Sequence, residues 1–105
     1  MEILEKTEGR KLLLEFYGEL DHHAARDVLH RMEVAMDTSA PTSLTLDLGG
    51  LSFMDSSGIA IILRARQRMR LLDGTVLVRS VPPQALRVLL AAGIDKLVPV
   101  EPKET

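Results

Sequence analysis

The segment spanning residues 44–72 constrains the fold of this chain more than any other part of it. Its first five residues alternate leucine with threonine or aspartate, and this alternation predicts a strand with one buried face. From Gly58 onward, apolar residues recur at intervals of three and four, which predicts an amphipathic helix. Because a strand that leads directly into a helix is typical of α/β folds, this segment favours an α/β domain.

Predicted strands and helices alternate along the rest of the chain. The elements are, in order, a short strand at residues 3–4, a strand over 11–17, a helix over 22–36, the central strand and helix, a strand over 75–79, a helix over 82–92 and a short strand over 97–100. Strands separated by helices pair in parallel through right-handed crossovers, and the opening hairpin adds an antiparallel edge. We therefore predict one α/β domain over residues 1–105, with a mixed, mostly parallel β-sheet, an N-terminal hairpin and three helices packed mainly on one face.

Helical spacing also predicts which residues the helices bury. The second helix should face the core with Gly58, Ile62, Ala65, Met69 and Leu72. The corresponding residues of the first helix are Ala25, Val28, Leu29, Met32 and Ala35, and those of the third are Leu86, Leu89 and Leu90.

The turn between the central strand and its helix carries the most concentrated chemistry in the chain. Asp55, Ser56 and Ser57 lie where the strand ends and the helix begins, so a carboxylate and two hydroxyls are presented at a helix N-terminus. A helical projection of about 100° per residue places Ser56 nearly opposite the core stripe and Ser57 nearer to its edge. Ser56 is therefore predicted to be the more accessible hydroxyl.

Two apolar residues, Ile59 and Leu63, share the predicted exposed side of this helix with Ser56. Isolated exposed apolar side chains are common on protein surfaces, and another segment could also cover them. Alternatively, they form a docking patch for a partner protein, ringed by Arg66 and Arg70. The sequence leaves both interpretations open.

Composition argues against several classes of function. The net charge is only -2 with both signs scattered, which favours neither nucleic acid nor an anionic membrane surface. Aromatic residues make up 3% of the chain and tryptophan is absent, so stacking platforms for single-stranded nucleic acid are missing. The absence of cysteine fits a reducing cytosol, and neither a signal peptide nor a membrane-spanning run is evident. We expect a cytoplasmic protein with no direct contact to nucleic acid or membrane.

Catalytic motifs are also missing. A serine hydrolase needs a base beside its nucleophile, whereas all three histidines, His22, His23 and His30, lie on or near the polar side of the first helix. The residues around Ser56 do not form a G-x-S-x-G elbow. The pair Gly49-Gly50 lacks the further glycine and the Lys-Ser/Thr of a Walker motif. We therefore predict that the chain is not an enzyme and uses no cofactor.

Metal binding receives little more support. His22 and His23 are adjacent in a predicted helix, so their side chains should point about 100° apart and not share a ligand site easily. Asp21, Asp47 and Asp55 could meet at one end of the sheet and hold a divalent ion. The alternative is that they are solvated strand-end and helix-capping residues, and we predict no metal site.

Two blocks of sequence resemble a known family. Residues 51–59, Leu-Ser-Phe-Met-Asp-Ser-Ser-Gly-Ile, preceded by Leu-Asp-Leu at 46–48, resemble the phosphorylation loop of STAS-domain anti-sigma factor antagonists. Residues 18–23, Gly-Glu-Leu-Asp-His-His, resemble the segment that enters the first helix in the sporulation sigma-F branch of that family. The similarity extends over about residues 12–100, so a STAS domain is the expected fold.

The resemblance implies a function and a switch. In that family the hydroxyl directly after the aspartate is phosphorylated, which corresponds to Ser56 here. The unphosphorylated antagonist binds an anti-sigma factor, a serine kinase of the GHKL ATP-binding type, and frees the sporulation sigma factor. Phosphorylation by that kinase releases the antagonist, and a PP2C-type phosphatase resets it. An alternative is a STAS subunit of a stress-response or lipid-transport assembly, because fold alone does not fix the partner.

The exposed patch and the resemblance together define an expected contact surface. The predicted partner-binding residues are Asp21, His22, Asp55, Ser57, Gly58, Ile59 and Leu63. The free protein is expected to be a monomer. Family members usually carry a further helix after the last strand, and residues 101–105 are expected to form at most a vestige of it.

Overall fold

The computed structural model describes residues 1–104 of the chain. Its strands are β1 (Glu2–Glu8), β2 (Lys11–Leu20), β3 (Ser43–Met54), β4 (Thr75–Val81) and β5 (Val100–Pro102). Its α-helices are α1 (His22–Ser39), α2 (Ser57–Leu71) and α3 (Pro83–Ala91), and a 3-10 turn follows at Ile94–Lys96. The predicted order of strands and helices is confirmed.

The five strands form one sheet in the order β1-β2-β3-β4-β5. β1 and β2 pair antiparallel as a hairpin, and the remaining neighbours pair in parallel. Leu44 on β3 lies between Leu12 on β2 and Val76 on β4, so the register aligns apolar residues across the sheet. The mixed, mostly parallel sheet with an N-terminal hairpin is therefore as predicted.

One face of the sheet is buried beneath the helices. Leu14, Leu46 and Val78 form a fully buried row across the central strands, and they join the inward residues of all three helices in one hydrophobic cluster. The opposite face carries cross-strand ion pairs, Lys6 with Glu15 and Asp47 with Arg79. The period-two alternation of the strands thus separates a helix-covered face from a polar one.

The central strand is longer than predicted because it continues through two glycines. Gly50 pairs with Tyr17 of β2, and a Cβ at this position would lie 2.6 Å from the carbonyl oxygen of Phe16. The register between β2 and β3 shifts on both sides of this pair, so β3 carries extra residues. Glycine here permits a close backbone approach within a strand rather than a turn, and Met54 becomes the last residue of β3.

Helix α1 and strand β5 also differ from the predicted bounds. α1 continues to Ser39, whose hydroxyl donates to the carbonyl of Ala35, and it ends at Ala40 in the left-handed conformation. The last strand begins at Val100 rather than at residue 97, because a 3-10 turn precedes it. Residues 103 and 104 form no helix, and the rest of the expected C-terminal vestige, Thr105, lies outside the described residues.

For two residues, the prediction that they face the core is wrong. Leu72 is 39% exposed because it follows the last residue of α2 and leaves the helical projection, while Ile61 occupies the core stripe. Leu90 is 48% exposed, and the short helix α3 buries Ala85 and Leu89 instead. The remaining predicted core residues are buried or pack against the core.

An ion-pair network joins α1 to α2. Glu33 accepts from Arg64 at 3.4 Å and from Arg68 at 3.3 Å, and Arg68 also pairs with Asp37. Glu33 is half-buried between the two helices. The network fixes the packing of the two helices whose N-termini form the site described next.

Candidate functional site

The two sequence blocks meet at the carboxyl edge of the sheet. Leu20 at the end of β2 pairs with Met54 at the end of β3, and the next amide, that of Asp55, donates to the carbonyl of Leu20 at 3.1 Å. Because β2 and β3 are parallel neighbours, α1 and α2 begin beside each other. Asp21 and Asp55 each directly follow one of these strands.

The carboxylate of Asp55 binds the N-termini of both helices. Its Oδ1 accepts from the amide of Ser57 at 2.8 Å, and its Oδ2 accepts from the amide of His22 at 3.1 Å. Asp21 is the N-cap of α1, and its Oδ1 accepts from the amide of Ala24 at 3.0 Å. These bonds satisfy amides that a helix N-terminus otherwise leaves without partners, and they fix the two helix starts relative to each other.

These hydrogen bonds lower the pKa of the Asp55 carboxyl group below its ordinary value. The bond from the Ser57 amide is the largest cause, and the Ser57 side chain and the contacts with His22 act in the same direction, whereas desolvation opposes them. A carboxyl group with a lower pKa in the folded protein stabilises the fold above its unfolded-state pKa, and this contribution is lost as the pH falls through the folded-state value.

We expect Asp55→Asn to reduce the free energy of unfolding at pH 7 and to reduce it progressively less at acid pH. The neutral amide cannot supply the charge that holds both helix starts, whereas at low pH the wild-type carboxyl group is also neutral. Urea unfolding of both proteins between pH 7 and pH 2.5 measures the difference. Asp73→Asn, at an exposed turn, is the control and should stay within about 0.5 kcal/mol of wild type. A constant difference between Asp55→Asn and wild type would contradict the linkage.

Ser56 occupies the N-cap position of α2 without acting as a cap. Its backbone is already helical, with φ -63° and ψ -15°, and within residues 1–104 its hydroxyl caps no amide. Asp55 has taken over that role through Ser57. Ser56 is exposed and Ser57 is half-buried, so the predicted order of accessibility is confirmed.

Gly58 packs the start of α2 closely against β3. It is buried, and a Cβ at this position would lie 2.4 Å from the sulfur of Met54. The absence of a side chain therefore lets the helix begin directly over the strand end. Gly58 stays a predicted partner-binding residue, and the structure also gives it a packing role within this chain.

Gln84 of α3 also holds the site, and sequence reasoning did not identify it. Its Oε1 accepts from the amide of Met54 at 2.9 Å, and its Nε2 donates to the carbonyl of Met54 at 2.8 Å. The Gln84 side chain thus makes the two hydrogen bonds to Met54 that a neighbouring strand would otherwise make at the end of β3. A single glutamine after two prolines gives no sequence signal for a contact 30 residues away.

We expect Gln84→Ala to lower the free energy of unfolding by about 1–3 kcal/mol, because it leaves both polar backbone groups of Met54 without their partner. Chemical denaturation measures the loss. Gln67→Ala is the control, because it makes the same substitution at an exposed position of α2. It should change the free energy of unfolding by less than about 0.5 kcal/mol. Equal effects of the two substitutions would show that the bonds to Met54 contribute little.

The surface around Ser56 is partly apolar. Leu63 is 38% exposed, as predicted, whereas Ile59 is half-buried and packs against the core, so its expected position facing away from the core is wrong in part. A groove of about 370 Å³ between α1 and α2 lies beside the serines, lined by His22, Ala25, Arg26, Leu29, Ser57, Ala60 and Ile61. Phe53, two residues before Asp55, is also exposed, with 41% of its surface accessible. The position of Phe53 in the strand did not by itself predict this exposure.

The possible metal ligands do not assemble. Asp47 accepts from Arg79 at 3.0 Å and from the amide of Gly49 at 2.8 Å, so it is engaged on the polar face of the sheet. The rings of His22 and His23 lie closer than the helical projection indicated, with centroids 4.0 Å apart. Within residues 1–104, no three histidine, aspartate or glutamate side chains are placed to hold a metal ion. Nor does any helix of that range have the length and apolar character needed to cross a membrane.

Comparison with known proteins places this arrangement in a family. The STAS domain model matches residues 2–105. An anti-sigma F factor antagonist of Paenibacillus polymyxa is 33% identical over 93 residues, which is 89% of this chain and 80% of that protein. An antagonist of the same name from Lysinibacillus sphaericus is 29% identical over 91 residues, 87% of this chain and 78% of that protein.

Solved structures show the same fold. The anti-sigma factor antagonist SpoIIAA in its unphosphorylated form superposes with a TM-score of 0.82 at 23% identity, covering 94% of this chain and 87% of that one. An anti-sigma factor antagonist from Mycobacterium paratuberculosis gives a TM-score of 0.86 at 22% identity, covering 96% and 85%. The chain therefore belongs to the STAS domain family. Two of its curated relatives are named anti-sigma F factor antagonists.

Proposed function

We propose that this STAS domain is a non-catalytic anti-sigma factor antagonist that is switched by phosphorylation of Ser56. The observation that carries the proposal is the exposed Ser56 hydroxyl, which the fold does not use because Asp55 caps α2 in its place. The surrounding sequence resembles the phosphorylation loop of this family, and two curated relatives bear the name anti-sigma F factor antagonist.

In the proposed cycle, the unphosphorylated protein binds an anti-sigma factor of the GHKL ATP-binding type in the cytoplasm. Binding releases the sporulation sigma factor, and the anti-sigma factor then acts as the kinase that phosphorylates Ser56. A PP2C-type phosphatase restores the hydroxyl. The proposed contact surface comprises the predicted residues Asp21, His22, Asp55, Ser57, Gly58, Ile59 and Leu63, of which Gly58 also packs against Met54.

Electrostatics explain how one phosphate could act as the switch. A phosphoserine carries roughly -1.5 to -2 charges at neutral pH. At the start of α2 the helix dipole tolerates this charge, so the fold should persist. The same charge lies one residue from the Asp55 carboxylate and on the side of α2 that exposes Leu63. Burial of this surface against a partner then becomes unfavourable, since it would desolvate two neighbouring anionic groups.

The direct test combines the purified protein with the GHKL-type anti-sigma factor of the same organism. We expect a stable complex in the absence of ATP, and incorporation of one phosphate per chain when ATP is supplied, followed by dissociation. Size-exclusion chromatography and intact-mass spectrometry measure both steps. Failure of the unphosphorylated protein to bind this factor would refute the proposal.

Leu63→Ala should weaken this binding about tenfold while changing the free energy of unfolding by less than about 1 kcal/mol, because the side chain is 38% exposed in the free protein. Leu90→Ala, at a comparably exposed leucine on α3, is the matched control and should bind normally. Calorimetric titration and urea unfolding separate the two effects. A large loss of stability without a specific loss of binding would place Leu63 among the core residues instead.

A further inference from the structure

Four arginines occupy alternate positions in α2, and they differ in their contacts. Arg64 and Arg68 form ion pairs with the acidic residues of α1. Arg66 and Arg70 form no ion pair with any side chain of residues 1–104. The first two arginines therefore stabilise the packing of helices, whereas the second two leave their positive charge available to another molecule.

The two unpaired arginines lie in a mixed polar and apolar surface that includes exposed leucines. A shallow cleft of about 600 Å³, called here the basic cleft, is lined by Leu63, Arg66, Gln67, Arg70 and Leu71. Leu71 is 79% exposed, although it is a large apolar residue. Arg66 and Arg70 also line a second cleft of about 300 Å³ toward Leu97, which is 47% exposed. Exposed leucines grouped around free guanidinium groups are typical of a protein contact surface.

We infer that the basic cleft binds an acidic segment of the anti-sigma factor that also carries an aliphatic side chain. This inference rests on the proposed function, because it assigns a second contact to the same partner. Guanidinium groups bind carboxylates through paired hydrogen bonds, and Arg66 and Arg70 are one helical turn apart. The adjacent Leu71 provides the apolar contact for the aliphatic side chain.

The charge of the cleft favours an acidic protein over a polyanion. Nucleic-acid binding depends on several cationic contacts to phosphates, and anionic membranes are recognised by clusters of about four to eight basic residues. Among residues 1–104, two arginines without an ion pair line the basic cleft, and the chain as a whole has a net charge of -2. A short acidic segment matches both this charge and the interleaved leucines.

The basic cleft begins at Leu63, but its two arginines lie farther along α2 from Ser56. Arg66 and Arg70 follow Ser56 by 10 and 14 residues, which is about 15 and 21 Å along the helix axis. Both separations exceed the Debye length of about 8 Å at physiological ionic strength. The cleft therefore keeps its attraction for acidic groups after Ser56 is phosphorylated, so it contributes to association with the partner in both states of the switch.

The test compares three charge reversals of equal size. Arg66→Glu and Arg70→Glu should each weaken binding of the unphosphorylated protein to the purified GHKL-type anti-sigma factor about fivefold to tenfold, mainly through slower association. Both should also reduce the dependence of the association rate on salt between 50 and 300 mM. Arg87→Glu, at an exposed arginine of α3 that forms no ion pair within residues 1–104, is the matched control and should behave as wild type.

A second pair of variants tests the apolar part of the cleft. Leu71→Ser should weaken binding at least about threefold without loss of stability, because the side chain is already 79% exposed, whereas Leu90→Ser should have no effect. Wild-type affinity and salt dependence in both arginine variants, with Leu63→Ala still impaired, would overturn this inference and leave the proposed function standing. Absence of any complex with wild-type protein would overturn both. Binding of wild type to duplex DNA or to phosphatidylglycerol vesicles that Arg70→Glu abolishes would assign the cleft to a polyanion and also overturn it.

Discussion

Replacing Ser56 by alanine should abolish phosphate incorporation by the anti-sigma kinase while leaving the complex with that factor intact. The hydroxyl at this position is exposed and caps no amide within residues 1–104, so its removal takes away the phosphate acceptor and no structural contact. The free energy of unfolding should stay within about 0.5 kcal/mol of wild type, as is usual for surface substitutions. Intact-mass spectrometry after incubation with ATP gives the readout.

Ser57→Ala is the matched control for this experiment. Its side chain is half-buried and also interacts with Asp55, but the 2.8 Å hydrogen bond to Oδ1 of Asp55 comes from the backbone amide of Ser57, which alanine retains. The variant should therefore still accept phosphate. Phosphate found on Ser57 in the wild-type protein, or incorporation into Ser56→Ala, would contradict the assignment of the modified residue.

Ser56→Asp should weaken binding to the anti-sigma factor at least about tenfold and leave the far-ultraviolet circular dichroism spectrum unchanged. The new carboxylate lies beside that of Asp55, and burying two like charges in one interface costs several kcal/mol. The helix N-terminus accepts the added charge, so no refolding is expected. Calorimetric titration against the purified factor measures the affinity.

The control for charge is Thr7→Asp, which adds the same negative charge on β1. Thr7 pairs with Leu12 near the start of β2, at the opposite end of that strand from Leu20 and the site. This variant should bind with wild-type affinity. If Ser56→Asp also bound normally, while the phosphorylated protein did not, one carboxylate would be too weak a substitute for phosphate. If the phosphorylated protein also bound normally, exclusion by charge would be wrong.

Local periodicity was sufficient to predict the position of Ser56. Alternation in the central strand and the spacing of α2 place this residue at their junction and orient it away from the core, and both signals lie within a few residues of it. The same sequence patterns do not predict burial correctly where a helix ends. Leu72 and Leu90 match the helical spacing, but Leu72 follows the end of α2, and α3 is too short to bury Leu90.

Contacts between distant segments could not be predicted in this way. The bond from the amide of His22 to Asp55 spans 33 residues, and the two bonds of Gln84 to Met54 span 30. No periodic sequence pattern marks either contact. The contact between His22 and Asp55 depends on the parallel order of β2 and β3, and the contact between Gln84 and Met54 depends on the docking of α3. Similarly, Gly50 resembles a turn residue in sequence but lies within a strand beside Tyr17.

Asp55, and not the Ser56 hydroxyl, caps α2, and this has an evolutionary consequence. Since Asp55 caps α2 and also binds the start of α1, which Asp21 caps, natural selection for a foldable chain imposes no requirement for a hydroxyl at position 56. Under the proposed function, a substitution there would give a well-folded antagonist that the anti-sigma kinase cannot inactivate. Retention of serine in a lineage would then depend on the benefit of turning the antagonist off.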